Sequence, residues 1–207
     1  MTLSATEVNN LKKATTVDGV LPAIQGRWSP RAFSDRDVAP ADLVRVFEAA
    51  RWAPSSNNGQ PWSYLVGVRN SVTHAKIAAV LAGFNKEWAP KVPVLILGIA
   101  KITFAHNGAP NAYALYDLGA ATALLAVEAV ALGLAAHQMG GFDRDAAREA
   151  FEIPEDYSLG SVIALGYQGE PDTLTNERQL AQEIAPRQRK PLKDFVFSSW
   201  GVAADLS

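Results

Sequence analysis

Apolar residues recur along the chain with two different periods, which predicts a mixture of helices and strands. Spacings of three and four residues, as in segment 40–52, indicate helices with one apolar face. Short runs rich in Val, Ile and Leu indicate buried strands. The predicted helices are 19–26, 40–52, 73–81, 117–138 and 143–151, and the predicted strands are 63–68, 92–100 and 159–167.

This order of elements predicts the fold class. It contains too few strand–helix–strand units for a doubly wound parallel sheet, so we predict an α+β fold with a mixed layer of strands and helices. No repeat or linker interrupts residues 1–207, and we therefore expect a single domain. Residues 1–17 are expected to form an N-terminal arm and residues 191–207 a C-terminal extension.

The predicted helix 117–138 is unusual because it has no strongly polar face. Its segment 118–136 contains one charged residue, Glu128, and is long enough to span a membrane. Its many alanines and the central carboxylate instead favour a helix buried on all sides in a soluble protein. A seam of small residues would also suit a two-fold contact with a second copy of the chain.

Composition narrows the possible functions. The 19 basic and 21 acidic residues give a net charge of −2, so we expect neither nucleic-acid nor membrane binding. There is no cysteine, which excludes disulfides, thiol catalysis and cysteine-held metals. The N-terminus lacks the apolar stretch of a signal peptide, so we expect a cytoplasmic protein. We interpret His74, His106 and His137 as surface or helix-end residues, and we expect no metal site.

Two groups of alternating arginines are candidates for anion binding. Arg27, Ser29 and Arg31 are each two residues apart, so an extended loop would point them the same way. Arg187 and Arg189 repeat this spacing near the other end of the chain. Guanidinium groups arranged in this way suit a phosphate, although a solvated basic loop has the same composition. Spacing alone does not show that the two groups meet.

A polar loop is the third candidate. Residues 54–62 read Pro-Ser-Ser-Asn-Asn-Gly-Gln-Pro-Trp, and this composition excludes a regular element. Its hydroxyl and amide groups could hydrogen-bond a polar cofactor, or the segment could be a turn-rich surface loop. The glycine motif of a Rossmann site and the Walker A motif are both absent.

The order of these motifs resembles that of the FMN-dependent nitroreductase family. Arg-x-Ser-x-Arg-x-Phe at 27–33 is followed by Pro-Ser-Ser-x-Asn-x-Gln-Pro-Trp at 54–62. The segments 139–143, 165–167 and 187–192 are similar to later segments of that family, in the same order. The likeness extends from residue 20 to about 197, and the loop 54–62 is its most specific part.

The resemblance implies a mainly antiparallel sheet flanked by helices, a long buried central helix, and a C-terminal arm exchanged across a homodimer. It implies bound, non-covalent FMN at the subunit interface, with Arg27, Ser29, Arg187 and Arg189 on the phosphate and Arg31 near the flavin N1 and O2. The loop would reach the partner's flavin. The implied cofactor-binding residues are Arg27, Trp28, Ser29, Arg31, Pro54, Ser55, Ser56, Asn58, Gln60, Asn85, Met139, Gly140, Gly141, Arg187 and Arg189.

Two departures from the family pattern affect this expectation. The interval 101–116 is short, so any lid over the flavin would be small. A lysine that some members place near flavin N1 is not evident, and a gapless reading puts Trp88 there. Arg31 would then supply the positive charge alone.

The resemblance also implies an activity. NADH or NADPH would transfer hydride to FMN N5, and an electron-poor acceptor such as a nitroaromatic or quinone would take it in a ping-pong cycle, with no catalytic side chain required. Flavin fragmentation, dehydrogenation and reductive dehalogenation within the same family stay open. So do a non-catalytic FMN-binding or sensing protein and a flavin-free structural dimer.

Overall fold

An antiparallel sheet forms the centre of the computed structural model, which describes residues 3–206. Its strands are β1 (Trp62–Val68), β2 (Val94–Lys101), β3 (Ala135–Met139) and β4 (Tyr157–Gly166). They lie in the order β1–β2–β4–β3, and each neighbouring pair is antiparallel. The predicted α+β class and the mainly antiparallel sheet are therefore confirmed.

Helices cover both faces of this sheet. Along β2, Leu95 and Leu97 join one apolar cluster, and Val94 and Ile96 join the other, as the two-residue period of a strand requires. The first cluster includes residues of α4 and α7, and the second includes residues of α3 and α6. The helices are α1 (Ala5–Lys12), α2 (Pro22–Gly26), α3 (Pro40–Arg51), α4 (Val72–Val80), α5 (Asn85–Trp88), α6 (Ala114–Ala131), α7 (Arg144–Ala150) and α8 (Glu177–Ile184).

The prediction of one helix over 117–138 is wrong at its C-terminal end. Helix α6 stops at Ala131, and β3 follows after a tight turn. The turn forms because Gly133 adopts a left-handed conformation (φ +74°). The Leu134 N–H donates to the Ala129 carbonyl at 2.8 Å, and the Gly133 N–H donates to Val130 at 3.0 Å, which is a Schellman cap.

Helix α6 is not buried on all sides within one chain. Leu125 and Ala129 are fully buried against the sheet, whereas Tyr116 is 76% exposed and Leu115 is 49% exposed. By length and composition it is also the one helix in residues 3–206 that could cross a membrane. Its packing against α3 and the sheet fixes one face, and its other apolar face has no partner in the described chain.

The two ends of the chain extend from this core. Helix α1 begins at a capping box, in which the Ser4 side chain and the Glu7 side chain accept each other's backbone N–H groups. The C-terminal extension contains a small hairpin of β5 (Phe197–Ser199) and β6 (Val202–Ala203). Trp200 at its tip is 95% exposed. Exchange of this arm with a second subunit stays a prediction.

Candidate functional site

Residues 27–33, which we call the arginine loop, are anchored beside the C-terminal end of β4. The Ser34 N–H donates to the Tyr167 carbonyl, and the Gly169 N–H donates to the Ala32 carbonyl, both at 2.9 Å. A side chain at Gly169 would lie 2.6 Å from the backbone of Phe33, so glycine is needed for this close approach. The contact fixes the position of Arg31 relative to the sheet.

The structure brings both arginine groups into one cavity of about 260 Å³. Arg187 donates to the backbone carbonyls of Arg27 and Gln25, the latter at 2.8 Å, and so ties the end of α2 to the C-terminal segment. Two residues outside the sequence-based set, Lys12 and Gln182, also line the cavity. Its lining is Lys12, Arg27, Trp28, Ser29, Arg31, Gln182, Arg187 and Arg189.

The electrostatics of this cavity, which we call the phosphate cavity, favour an anion. None of the four ion pairs among residues 3–206 involves any of its five cationic side chains. Burial lowers the pKa of the Arg27 guanidinium, and the charge of Arg189 lowers it further. Burial likewise lowers the pKa of Arg187, whose buried Nε has no hydrogen-bond partner among residues 3–206. Like charges held together in this way are stabilised by a bound anion, and a phosphate monoester suits the donor set.

Glu183 was missed by the sequence reading. It is fully buried on α8, and its carboxylate accepts the backbone N–H groups of Arg31 (3.0 Å) and Ala32 (3.1 Å). Burial raises the pKa of this carboxyl, while these hydrogen bonds and the nearby charges of Arg31 and Lys12 oppose the rise. Its oxygens hold the loop, and within residues 3–206 they form no ion pair with a side chain of the cavity. No local pattern signals Glu183, because its partners are about 150 residues away in the sequence.

A second cavity, of about 440 Å³, adjoins the first and shares Arg31 and Gln182 with it. Asn85 and Gly141 lie here: the Asn85 side-chain amide donates to the Gly141 carbonyl at 3.0 Å. The structure therefore places Arg31 between these two cavities. Gly140 and Gly141 follow the end of β3, while the Met139 side chain is buried in the core.

Two aromatic residues in the arginine-loop region are packed inside the protein. Trp28 is 6% exposed, and its indole N–H donates to Asn9 at 2.9 Å. Trp88 is 4% exposed and stacks on Phe33 with ring centres 5.9 Å apart. No cationic side chain therefore occupies position 88, and Arg31 is the cation shared by the two adjoining cavities.

The interpretation of the histidines as surface or helix-end residues holds for His74 and His106 but is wrong for His137. His137 lies on strand β3, half-buried, 4.8 Å from the Trp88 ring. A carbonyl only accepts hydrogen bonds, so the 2.7 Å contact means that His137 Nδ1–H donates to the Pro30 carbonyl. The pKa of His137 is lowered to about 4, mainly by burial and also by the charges of Arg31 and Arg27, while the hydrogen bond to Pro30 opposes the shift. His74 is buried in the first turn of α4, and His106 is exposed in a loop.

The polar loop lies at the opposite end of the sheet from the arginine loop. It leads into Trp62, which pairs with Ala100 on β2, and Ala100 in turn pairs with Ser158 at the start of β4. The arginine loop instead lies beyond Gly166, at the other end of β4. The ten residues of β4 span about 30 Å. The structure therefore does not bring the polar loop to the phosphate cavity of the same chain.

The polar loop has its own anchors and its own cavity. The Ser56 N–H donates to the buried Asp117 carboxylate, and the Gln60 N–H donates to the Ser55 hydroxyl, both at 3.0 Å. Asn57, Asn58 and Gln60 all have positive φ angles, which fixes a sharply folded backbone. Pro54, Ser55 and Ser56 line a cavity of about 290 Å³ with Tyr113, Tyr116 and Asp117.

The chain is similar to known proteins in its sequence and in its fold. The model of the nitroreductase family matches residues 24–167, and the chain belongs to that family. A protein of Archaeoglobus fulgidus, provisionally named an NADH dehydrogenase/NAD(P)H nitroreductase, is 31% identical over 71% of this chain and 84% of its own length.

Solved structures agree with this assignment. An oxidoreductase solved with FMN superimposes with a TM-score of 0.83 at 33% identity, covering 96% of this chain and 97% of its own. A provisionally assigned nitroreductase from Desulfovibrio desulfuricans, in complex with FMN, shares the fold with a TM-score of 0.70 at 24% identity, covering 89% and 98%. The matches identify the chain as an oxidoreductase and support FMN and NAD(P)H as its cofactors.

Proposed function

We propose that this chain binds FMN without a covalent bond and uses NADH or NADPH to reduce nitroaromatics, quinones or similar electron-poor acceptors. The observation that carries the proposal is the phosphate cavity, where five cationic side chains gather and none forms an ion pair within residues 3–206. When bound, FMN supplies the hydride-accepting and hydride-donating atom, N5. The protein supplies placement, charge and shelter from water.

Each proposed cofactor-binding residue has a distinct task. Arg27, Ser29, Arg187 and Arg189 hold the phosphate through charge-assisted hydrogen bonds. Arg31 faces the pyrimidine side of the ring, where its fixed charge stabilises negative charge near N1 and O2. Asn85 contacts the same edge, and the backbone of Gly140 and Gly141 lies towards N5 and O4. Trp28 and Met139 support the site by packing.

We also propose a homodimer with two active sites at its interface. The polar loop lies about 30 Å along β4 from the arginine loop of its own chain, which supports a role at the partner's site. Pro54, Ser55, Ser56, Asn58 and Gln60 would then complete the partner's flavin pocket. The exposed apolar side chains of α6 and of the C-terminal extension support a large contact between subunits.

Steady-state kinetics test the shared-site mechanism. If nicotinamide and acceptor occupy the same place in turn, double-reciprocal plots at several fixed acceptor concentrations should give parallel lines. Intersecting lines would contradict the ping-pong cycle. A protein that binds FMN but supports no turnover with any nitroarene or quinone would be a flavin-binding or sensing protein.

A further inference from the structure

Helix α1 is attached to the phosphate cavity although it precedes the residues that match the family model. The match begins at residue 24, and α1 ends at Lys12. The Asn9 side chain accepts the Trp28 indole N–H at 2.9 Å, and the Ala5 N–H donates to the Glu170 carboxylate at 2.8 Å. These contacts fix α1, and with it Lys12, against the arginine loop.

Lys12 is a buried cation in this helix. Its residue is 5% exposed, its ammonium donates to the Gln182 carbonyl at 2.8 Å, and it lies 4.9 Å from the centre of the Trp28 ring. An ammonium has three N–H donors, and among residues 3–206 this is its one hydrogen bond. A buried charge is costly unless it is paired. The next residue, Lys13, is exposed and does not line this cavity.

Glu183 compensates part of this cost at a distance. Its charge raises the pKa of Lys12, while burial, the dominant cause, and the charges of Arg187 and Arg31 lower it. No carboxylate oxygen within residues 3–206 lies within 4 Å of the Lys12 ammonium. The remaining donors of Lys12 therefore have no anionic partner in the described chain, and the residue lines the cavity together with Arg27 and Arg187.

We propose that Lys12 is a further phosphate-binding residue, so that helix α1 is part of the cofactor site. The inference rests on the proposed function, since the anion is taken to be the phosphate of FMN. In this arrangement Gln182 and Glu183 of α8 orient Lys12. The remaining N–H groups of its ammonium donate to the same phosphate that Arg27, Arg187 and Arg189 hold.

Paired titrations with FMN and riboflavin test this role, because riboflavin lacks the phosphate. Full-length protein freed of flavin by dialysis is titrated with each flavin, following quenching of flavin fluorescence. Lys12→Met should raise the dissociation constant for FMN about ten- to a hundred-fold, the usual loss for a hydrogen bond between charged groups. Its dissociation constant for riboflavin should stay within about two-fold of wild type. Lys13→Met, the matched control, should change neither.

The outcomes separate the possible explanations. Equal weakening of FMN and riboflavin would show that Lys12 only supports packing, and an unchanged FMN affinity would show that it makes no phosphate contact; either overturns the inference. If Lys12→Met does not fold, Lys12→Gln keeps an N–H donor for the Gln182 carbonyl and gives the same comparison. Wild-type protein that binds neither flavin would overturn the proposed function itself.

Discussion

Arg187 connects two distant parts of the chain at the phosphate cavity. It donates to the carbonyls of Arg27 and Gln25, and its buried Nε has no hydrogen-bond partner in the described part of the chain. A buried unpaired guanidinium nitrogen is costly, so a ligand oxygen that accepts from it gains affinity. The basic segment at the C-terminus and the arginine loop therefore act as one binding unit.

The first prediction concerns Arg27. Arg27→Ala removes one guanidinium from the cavity but keeps the backbone carbonyl that anchors Arg187. Loss of a charged contact to a buried phosphate costs about 2–5 kcal/mol. The lower limit of this range corresponds to a rise of about thirty-fold in the FMN dissociation constant, so we expect a rise of at least that size. Fluorescence titration measures it. The control is Arg36→Ala, which removes an exposed arginine outside the cavity and should bind FMN as wild type does. Unchanged FMN affinity in Arg27→Ala would refute the phosphate assignment.

The sequence predicted some of the residues that form this cavity, but not all of them. The two-residue spacing of Arg27, Ser29 and Arg31 predicted a shared direction, and all three line one cavity. Lys12 and Glu183 were missed because long-range contacts bring them there: Lys12 bonds to a carbonyl 170 residues away. Such contacts follow from the packing of α1 and α8 and leave no periodic signal in the sequence.

At the scale of elements, one glycine decides where the longest helix ends. The apolar run 117–138 reads as one helix because Ala and Leu suit a helix interior. Gly133 stops it because the left-handed turn allows Leu134 to cap Ala129 and pack in the same apolar cluster. The strand that follows, β3, carries His137 and leads to Gly140 and Gly141.

The second prediction tests this cap. A Cβ at Gly133 would meet no atom within 4 Å, so Gly133→Ala should act through backbone strain alone. We expect it to lower the free energy of unfolding by about 1–2 kcal/mol, measured by urea denaturation. Gly133→Asn should lose less, because asparagine tolerates the left-handed region. Equal stability of Gly133→Ala and wild type would contradict the capping role.

The third prediction is a pH dependence from β3. The folded-state pKa of His137 is about 4, below its ordinary value of 6.5, so the fold binds this proton less tightly than the unfolded chain does. Its contribution to stability is present above pH 6.5 and disappears as the pH falls towards 4, a loss of up to about 3 kcal/mol.

His137→Asn removes the titrating group and can keep a donor for the Pro30 carbonyl. Denaturation of both proteins at pH 7 and pH 4.5 should show a smaller acid-induced loss in the variant. The same loss in both proteins would mean that His137 is not the group responsible.

At the scale of the whole molecule, one copy of the chain exposes large apolar side chains on its surface. Tyr116 is 76% exposed on α6, Trp200 is 95% exposed in the C-terminal hairpin, and Leu124 is 38% exposed. The polar loop and the phosphate cavity lie at opposite ends of the sheet. A two-fold partner would cover the apolar surface and bring each loop to the other subunit's cavity.

The fourth prediction is therefore an oligomeric state. Sedimentation at micromolar concentration should give a dimer of about 44 kDa, twice the 22.2 kDa of the chain. Leu124→Glu should shift the protein towards monomer and weaken FMN binding, because a charge at a buried contact is costly. Val72→Glu, on the other face of the sheet and 74% exposed, should stay dimeric. A stable wild-type monomer would contradict the shared active site.

We propose that the chain is an FMN oxidoreductase that a nicotinamide reduces. The most direct measurement is an anaerobic titration of the purified protein with NADH and, separately, with NADPH, following the visible absorbance of the bound flavin. We expect a yellow protein whose flavin is identified as FMN and whose colour is lost on adding one or both nicotinamides, then returns when a nitroarene or quinone is added. Bound flavin that keeps its colour with both nicotinamides, or protein that carries no flavin, would contradict it.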